Sequence, residues 1–249
     1  MTAIKNKVAI ITGSGGGIGG AIALRYAREG AKLALADIVA DTANSRASEI
    51  NSMGCDAIAT ATDVTNKGSV QQMVQTTLDR WGRIDILVNV AGGADRKTVV
   101  EMTETDWDTI VDMNLKSVFL CCQAVLPAML KQKYGKIVSI SSIYGFTGNA
   151  TRSSYAAAKA GVAVFTKSLA LEVVNEGINV NAIAPGRVST PKVRGRYSDE
   201  QWAEATAQIP AGRAGTPDEI ASAALFLVLD ENSYITGQTI HVNGAWLNW

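Results

Sequence analysis

Tyr155 and Lys159 stand four residues apart in Tyr155-Ala156-Ala157-Ala158-Lys159, a stretch of helical periodicity that puts both side chains on one face. None of the other five tyrosines has a lysine four positions on. A free phenol titrates near ~10, and an ammonium beside it draws that value toward neutrality. The phenol then serves as general acid or base where an alkoxide forms or is quenched, as between a secondary alcohol and a ketone. Alone, the spacing arises by accident and suits a solvated helix face equally well. Two more polar residues give it weight. Ser142, in Ile140-Ser141-Ser142-Ile143-Tyr144-Gly145, ends a β-branched run 13 residues before Tyr155, where a hydroxyl can hydrogen-bond the reacting oxygen. Asn114, in Asp112-Met113-Asn114-Leu115, lies inside an apolar helix where an amide is a poor helix former; it can hold a water that relays protons to Lys159, or simply face solvent.

The second concentration of chemistry is Thr12-Gly13-Ser14-Gly15-Gly16-Gly17-Ile18-Gly19-Gly20, after one apolar run and at the head of a helical one. Glycines let a backbone approach a pyrophosphate, and the free N–H groups of a helix start attract its charge. Two registers fit: Gly15, Gly17 and Gly20 as G-x-G-x-x-G, or Thr12-Gly13 with Gly17 and Gly19 as T-G-x-x-x-G-x-G. Asp37 lies 20 residues after Gly17, at the end of the next apolar run. A carboxylate there accepts from adenosine ribose hydroxyls and repels a 2′-phosphate, although a helix N-cap before Asp41 is the plainer role. Ser14, Gly15, Gly16 and Ile38 stand where basic residues would clasp that phosphate, so the expected cofactor is NAD.

These residues need a frame that brings them to one edge. Short β-branched runs alternate with helical stretches, the pattern of repeated βαβ units. Seven strands are expected, at Lys7–Thr12, Lys32–Asp37, Asp56–Ala61, Ile84–Asn89, Lys136–Ser141, Ile178–Ala184 and Gln238–Val242. The fold class is therefore α/β: a single-domain, doubly wound (Rossmann-type), seven-stranded parallel sheet over residues 1–249, with helices on both faces and its ligand crevice at the carboxyl ends of the strands. The segment 186–214, with a short amphipathic stretch at Ser198–Gln208, reads as a lid over that crevice. Composition limits the functions open to it. With 23 basic and 23 acidic residues, no global field draws the chain to nucleic acid or an anionic membrane. The apolar run near the start is too short for a signal peptide, and none approaches ~18 uninterrupted apolar residues, so a cytoplasmic location is expected. Cys55, Cys121 and Cys122 with a single histidine argue against a metal site or a disulfide framework. That histidine, His241, falls on the last strand away from the motif edge, which leaves no Ser-His-Asp hydrolase to build.

Taken in order, the Thr12 glycine loop, Asp63-Val64, Asn89-Val90-Ala91-Gly92, Asn114, Ser142, Tyr155 with Lys159, Pro185-Gly186 with Thr190, and Thr236-Gly237-Gln238 span almost the whole chain. The sequence resembles the short-chain dehydrogenase/reductase family. The resemblance implies a catalytic tetrad of Asn114, Ser142, Tyr155 and Lys159, and the register Gly13, Gly17 and Gly19, with Ser14 and Ile18 in the same loop. It implies adenine contacts from Asp63 and Val64, ribose or nicotinamide contacts from Asn89, Tyr155, Lys159, Val188 and Thr190, and commonly a homotetramer. Val90 departs from the family's usual second asparagine, and Asn243-Gly244-Ala245 from its usual D-G-G.

Basic residues crowd the expected pocket: Arg152 three before Tyr155, and Lys192, Arg194 and Arg196 at the start of the lid. Arg152 and Arg196 can clamp an anionic carboxylate, sulfonate or phosphate tail; lid arginines also occur as plain solvated surface. The expected activity is NAD-dependent hydride transfer on a small secondary alcohol or ketone. Similarity to 3-oxoacyl carrier-protein reductases offers a second reading, and a non-catalytic NAD-binding sensor or scaffold a third.

Overall fold

The computed structural model describes residues 3–247. Its strands are β1 (Val8–Thr12), β2 (Lys32–Asp37), β3 (Ala57–Ala61), β4 (Ile86–Asn89), β5 (Gly135–Ile140), β6 (Ile178–Pro185) and β7 (Thr239–Val242). All pair in parallel, in the order β3-β2-β1-β4-β5-β6-β7. Every residue of β1, β4, β5 and β6 is buried, as expected of parallel strands covered on both faces. The winding reverses between β1 and β4, so the loops after these two strands diverge and open the crevice. The seven expected strands are all present, with ends moved by at most two residues. The largest shift is at β4, where the buried Asp85 accepts from the Val8 backbone N–H at 2.9 Å before the ladder begins.

The helices are α1 (Gly17–Arg28), α2 (Ala40–Ser52), α3 (Lys67–Trp81), α4 (Glu104–Val111), α5 (Ser117–Gln132), α6 (Tyr144–Thr147), α7 (Ser153–Val173), α8 (Pro191–Arg194), α9 (Asp199–Ala207) and α10 (Pro217–Val228). Ile22 and Tyr26 of α1, Ile50 of α2 and Leu225 of α10 pack one face of the sheet. Met73 of α3, Val125 of α5 and Leu169 of α7 pack the other.

Two local features set the site. The stretch around Asn114, read as continuous α-helix, is interrupted by a π turn at Asp112–Lys116. The lid is pinned at its base, where Val188 bridges Gly215, the Ser189 N–H donates to Gly215 O at 2.8 Å and the Gly215 N–H to Arg187 O at 2.9 Å. Within it, Ser198 and Gln201 form a capping box that starts α9, and Thr190 caps α8.

Candidate active site

Ser142 lies just beyond β5, Tyr155 and Lys159 on the first turns of α7, and Asn114 in the π turn. Gly92, in the loop after β4, lies between Asn114 and Lys159. A Cβ built on it would lie 2.7 Å from Asn114 Oδ1 and 3.6 Å from Lys159 Nζ, so only glycine fits. Asn114 is fully buried; its Nδ2 donates to Gly93 O at 2.8 Å and Ile110 O at 2.9 Å, and its Oδ1 accepts from the Gly93 N–H at 3.3 Å. The side chain given above the task of holding a water is thus occupied, and what the structure shows it doing is positioning the Gly92–Gly93 loop.

Lys159 is buried, donates from Nζ to Ile140 O at 2.7 Å, and lies 5.7 Å from the centroid of the Tyr155 ring. The Ser141 hydroxyl donates to Lys159 O at 2.8 Å and fixes this part of α7 against β5. Burial lowers the ammonium to a pKa of about 8. Burial likewise pushes the Tyr155 phenol above its ordinary value, against the opposing Ser142 hydroxyl and Arg152 charge. This differs from the expected depression by Lys159: both groups are desolvated, and the ammonium is turned to a backbone carbonyl. Ser142 Oγ accepts from the Tyr144 N–H at 3.2 Å, which aims the hydroxyl from the strand end.

The glycine loop decides its own register. Gly13 and Gly17 have φ of +64° and +53°, and a Cβ on Gly19 would stand 2.1 Å from Gly13 O, whereas one on Gly15 or Gly20 would first meet the side chains of Thr42 or Arg46. The close approach of helix to strand therefore needs Gly13, Gly17 and Gly19. Gly16 caps α1 without a side-chain acceptor, leaving the first N–H groups of the helix for an anion. Ser14 is buried and donates to Ala36 O; Ile18 packs into the core behind the loop. Asp37 is not an N-cap, since Val39 holds that place. Instead its Oδ2 accepts from the Gly15 N–H at 2.9 Å and its Oδ1 from the Val39 N–H at 3.1 Å, so the carboxylate stands beside the loop. Thr190, at the start of α8, has its methyl 3.3 Å from where a Gly17 Cβ would be, and Val188 is buried at the base of the segment 186–214. Asn89 donates to Ser139 Oγ at 3.1 Å while its buried Oδ1 has no partner. An uncapped helix start, a carboxylate at the loop and an unpaired buried amide oxygen together fit a dinucleotide along this edge.

Asp63 and Val64 are less free than expected. Asp63 Oδ1 accepts from the Thr65 N–H and hydroxyl, and Val64 is packed in the core. The missing second asparagine at Val90 is offset locally, because the Thr12 hydroxyl accepts from both the Val90 and Ala91 N–H groups. His241 requires a correction. It pairs with Ala184 near the carboxyl end of the sheet, so it lies at the motif edge, where its ring packs at 4.7 Å on Phe146 and burial lowers its pKa.

The segment 186–214 borders a cleft of about 580 Å³ lined by Asp95, Arg96, Arg187, Arg196, Tyr197 and Glu204 among others. Arg196 faces it as expected. Arg152 is not in its wall; its guanidinium stacks 5.6 Å above the Tyr144 ring, because it starts α7 on the Tyr155 side. The structure therefore groups Arg196 with Arg96 and Arg187, two residues the sequence did not single out. Arg194 pairs with Asp199 and stacks on Trp202, and Lys192 is exposed.

Comparison with known proteins follows the same outline. The family model described as Enoyl-(Acyl carrier protein) reductase matches residues 13–246. The 3-oxoacyl-[acyl-carrier-protein] reductase FabG of Thermotoga maritima is 40% identical over 242 residues, covering 97% of this chain and 98% of that protein. The (2S)-[(R)-hydroxy(phenyl)methyl]succinyl-CoA dehydrogenase subunit BbsD of Thauera aromatica is 41% identical, covering 97% of each. The crystal structure of gox2181 superposes with a TM-score of 0.95 at 37% identity, covering 100% of this chain and 98% of that one. The chain belongs to the short-chain dehydrogenase/reductase family and is an oxidoreductase of its nicotinamide-dependent fold.

Proposed function

We propose that the protein interconverts a 3-oxoacyl thioester and its 3-hydroxyacyl counterpart, using NAD(H). The observation that carries this reading is the grouping of Tyr155 with Ser142 and Lys159, and of Lys159 with Asn114 across Gly92, in a chain whose cleft beside the segment 186–214 bears three guanidiniums. The expectation of a free small alcohol with an anionic tail gives way to the second reading. The FabG and BbsD relatives are named for acyl groups carried by acyl carrier protein and by CoA, and both carriers hold the acyl group on a phosphorylated pantetheine arm.

The nicotinamide supplies or accepts the hydride when bound. The chain's own residues handle the oxygen and the proton. In reduction, the Ser142 hydroxyl donates to the ketone oxygen, and the Tyr155 O–H passes its proton to that oxygen as the alcohol forms. A phenol held high by burial stays protonated in the resting site, which suits this direction. Lys159, with its pKa near 8, is the neighbouring group that can restore the proton. NAD is favoured over NADP because the Asp37 carboxylate stands at the loop, where a 2′-phosphate would meet it charge to charge.

The test is the reduction of acetoacetyl thioesters of CoA and of acyl carrier protein with NADH and NADPH. NADH is expected to give a kcat/KM about 100-fold higher, and Tyr155→Phe to lose at least ~10³-fold of kcat. Turnover of free hydroxy acids with no turnover of either thioester would return the substrate to the small-alcohol reading.

A further inference from the structure

The sequence places Arg187 directly after Pro185-Gly186, and the fold surrounds its guanidinium with three rings. Tyr197 lies at 5.2 Å, Trp246 at 5.7 Å and Trp202 at 5.9 Å from its central carbon. Arg187 Nη1 donates to the Tyr197 oxygen at 2.9 Å, and Arg96 Nη2 donates to the same oxygen at 3.1 Å. Two cations thus converge on one neutral phenol. Among the described residues, no ion pair involves Arg96, Arg187 or Arg196. Arg187 Nε is buried and has no acceptor. Desolvation raises the Tyr197 phenol, yet the two guanidiniums bring it net below its ordinary value, a sign of the positive field they leave uncancelled.

The same cleft holds the opposite kind of vacancy in its hydrogen bonding. Asp95 lines it, and Asp95 Oδ1 is buried without a donor. A simple carboxylate or sulfonate tail would answer the guanidiniums and leave Asp95 unpaired. A phosphopantetheine arm answers both, because it carries a hydroxyl and amide N–H groups a few bonds from its phosphate. Arginine is also the side chain whose fork matches a phosphate.

The cleft is within reach of the chemistry. Arg96 is four residues past Gly92, so their Cα atoms are at most about 14 Å apart, and Gly92 faces Lys159. Behind Arg187, Trp246 packs edge-to-face at 6.3 Å on Tyr144, which lies two residues after Ser142, and Arg152 stacks on the same Tyr144 ring. Arg152, Tyr144, Trp246, Arg187 and Tyr197 form a continuous series of cation–ring and ring–ring contacts that runs from the start of α7 to the segment 186–214.

We infer that Arg96, Arg187 and Arg196 form an oxyanion subsite for the phosphate of the pantetheine arm, with Asp95 accepting from the arm's hydroxyl or amide. This rests on the thioester reading above and specifies how such a substrate is held.

The protein saturated with NAD+ would be titrated calorimetrically with pantetheine 4′-phosphate and with pantetheine. In parallel, kcat/KM would be measured for acetoacetyl-pantetheine and its 4′-phosphate, for acetoacetyl-CoA and for acetoacetyl carrier protein. The expected result is a 10- to 100-fold preference for phosphorylated over unphosphorylated thioester, in the range of a charge-assisted contact. Arg96→Gln, Arg196→Gln and Arg187→Gln should each shrink that ratio severalfold, and the first two keep the test sound should Arg187→Gln fail to fold. The CoA and carrier-protein arms separate the two sources of the same phosphate. Equal turnover of phosphorylated and unphosphorylated thioesters would overturn the subsite and leave the thioester reading intact. Arginine-dependent binding of pantetheine phosphate without turnover of any thioester would support the subsite and overturn that reading.

Discussion

Lys159 carries a stability cost that its chemistry explains. Its folded pKa of about 8 lies below the ordinary lysine value of 10.5, so the folded state holds the proton less tightly than the unfolded chain. The penalty is therefore fully present below about pH 8, and stability rises as pH climbs from there toward 10.5. A shift of that size corresponds to roughly 3 kcal/mol, less about 1 kcal/mol for the bond to Ile140 O. Lys159→Met is accordingly expected to abolish turnover while stabilising the cofactor-free protein by about 2 kcal/mol at pH 7, an advantage that fades by pH 10. Urea midpoints of the two proteins at several pH values check this; a wild type more stable than the variant at pH 7 would contradict it. Tyr155, Lys159, Ser142 and Asn114 stood out in the sequence because proton transfer at an alcohol oxygen calls for those side-chain types, and the fold adds that Asn114 holds the Gly92–Gly93 loop. Gly92, Arg187 and Tyr197 did not. The Arg96–Tyr197 contact spans 101 residues, and nothing local marks either partner. Gly92 was read as one letter of a motif, although the space left between Asn114 and Lys159 is what demands it.

At the level of elements, the end of β2 does two jobs through one side chain. The Asp37 carboxylate already accepts from the Gly15 and Val39 N–H groups, and of its roughly four lone-pair positions about two remain for ribose hydroxyls. Asp37→Ala removes both the charge and the brace, so the preference for NADH over NADPH should fall by at least about 10-fold, chiefly through loss of the NADH rate. Paired kcat/KM values for the two cofactors test this, and an unchanged ratio would move cofactor choice to another residue. Strand positions were readable because parallel strands buried on both faces leave continuous apolar runs between helical stretches. The π turn at Asp112–Lys116 was not, since apolar spacing there continues through it. Its origin is a competition visible only in three dimensions: Asn114 Nδ2 donates to Ile110 O, the carbonyl that its own backbone N–H would take in an α-helix, while also reaching across to Gly93. The segment 186–214 was readable as an insertion, but the stacking of Arg187 among rings from α9 and the C-terminal stretch depends on the closure of Val188 on Gly215.

Across the whole molecule, apolar surface remains that the sheet does not use. On α5, Val118, Cys121, Cys122, Val125 and Met129 turn inward, and Phe119 is left 42% exposed; on α7, Val164 and Leu171, seven residues apart on one face, are 60% and 80% exposed. An edge-to-face contact between Phe119 and Phe165 at 6.4 Å joins these outer faces into one patch, whereas the neighbouring Leu120 is buried. Phe226 on α10 and Tyr234 are exposed as well, and β7 is the terminal strand of the sheet, with an unpaired edge. Contiguous apolar surface and an open strand edge are features that association covers. Two such surfaces at different places on one chain allow contacts across two different two-fold axes, and two perpendicular two-folds generate a tetramer. We therefore propose a homotetramer, with light scattering at micromolar concentration giving four times the 26.2 kDa chain mass. Placing charges in the first patch with the double substitution Val164→Glu and Leu171→Glu is expected to stop assembly at dimers held by the β7 edge, because each carboxylate would be desolvated without a partner. A wild type that scatters as a monomer would remove the premise, and a double variant that remains tetrameric would show that the α5–α7 face is not the interface.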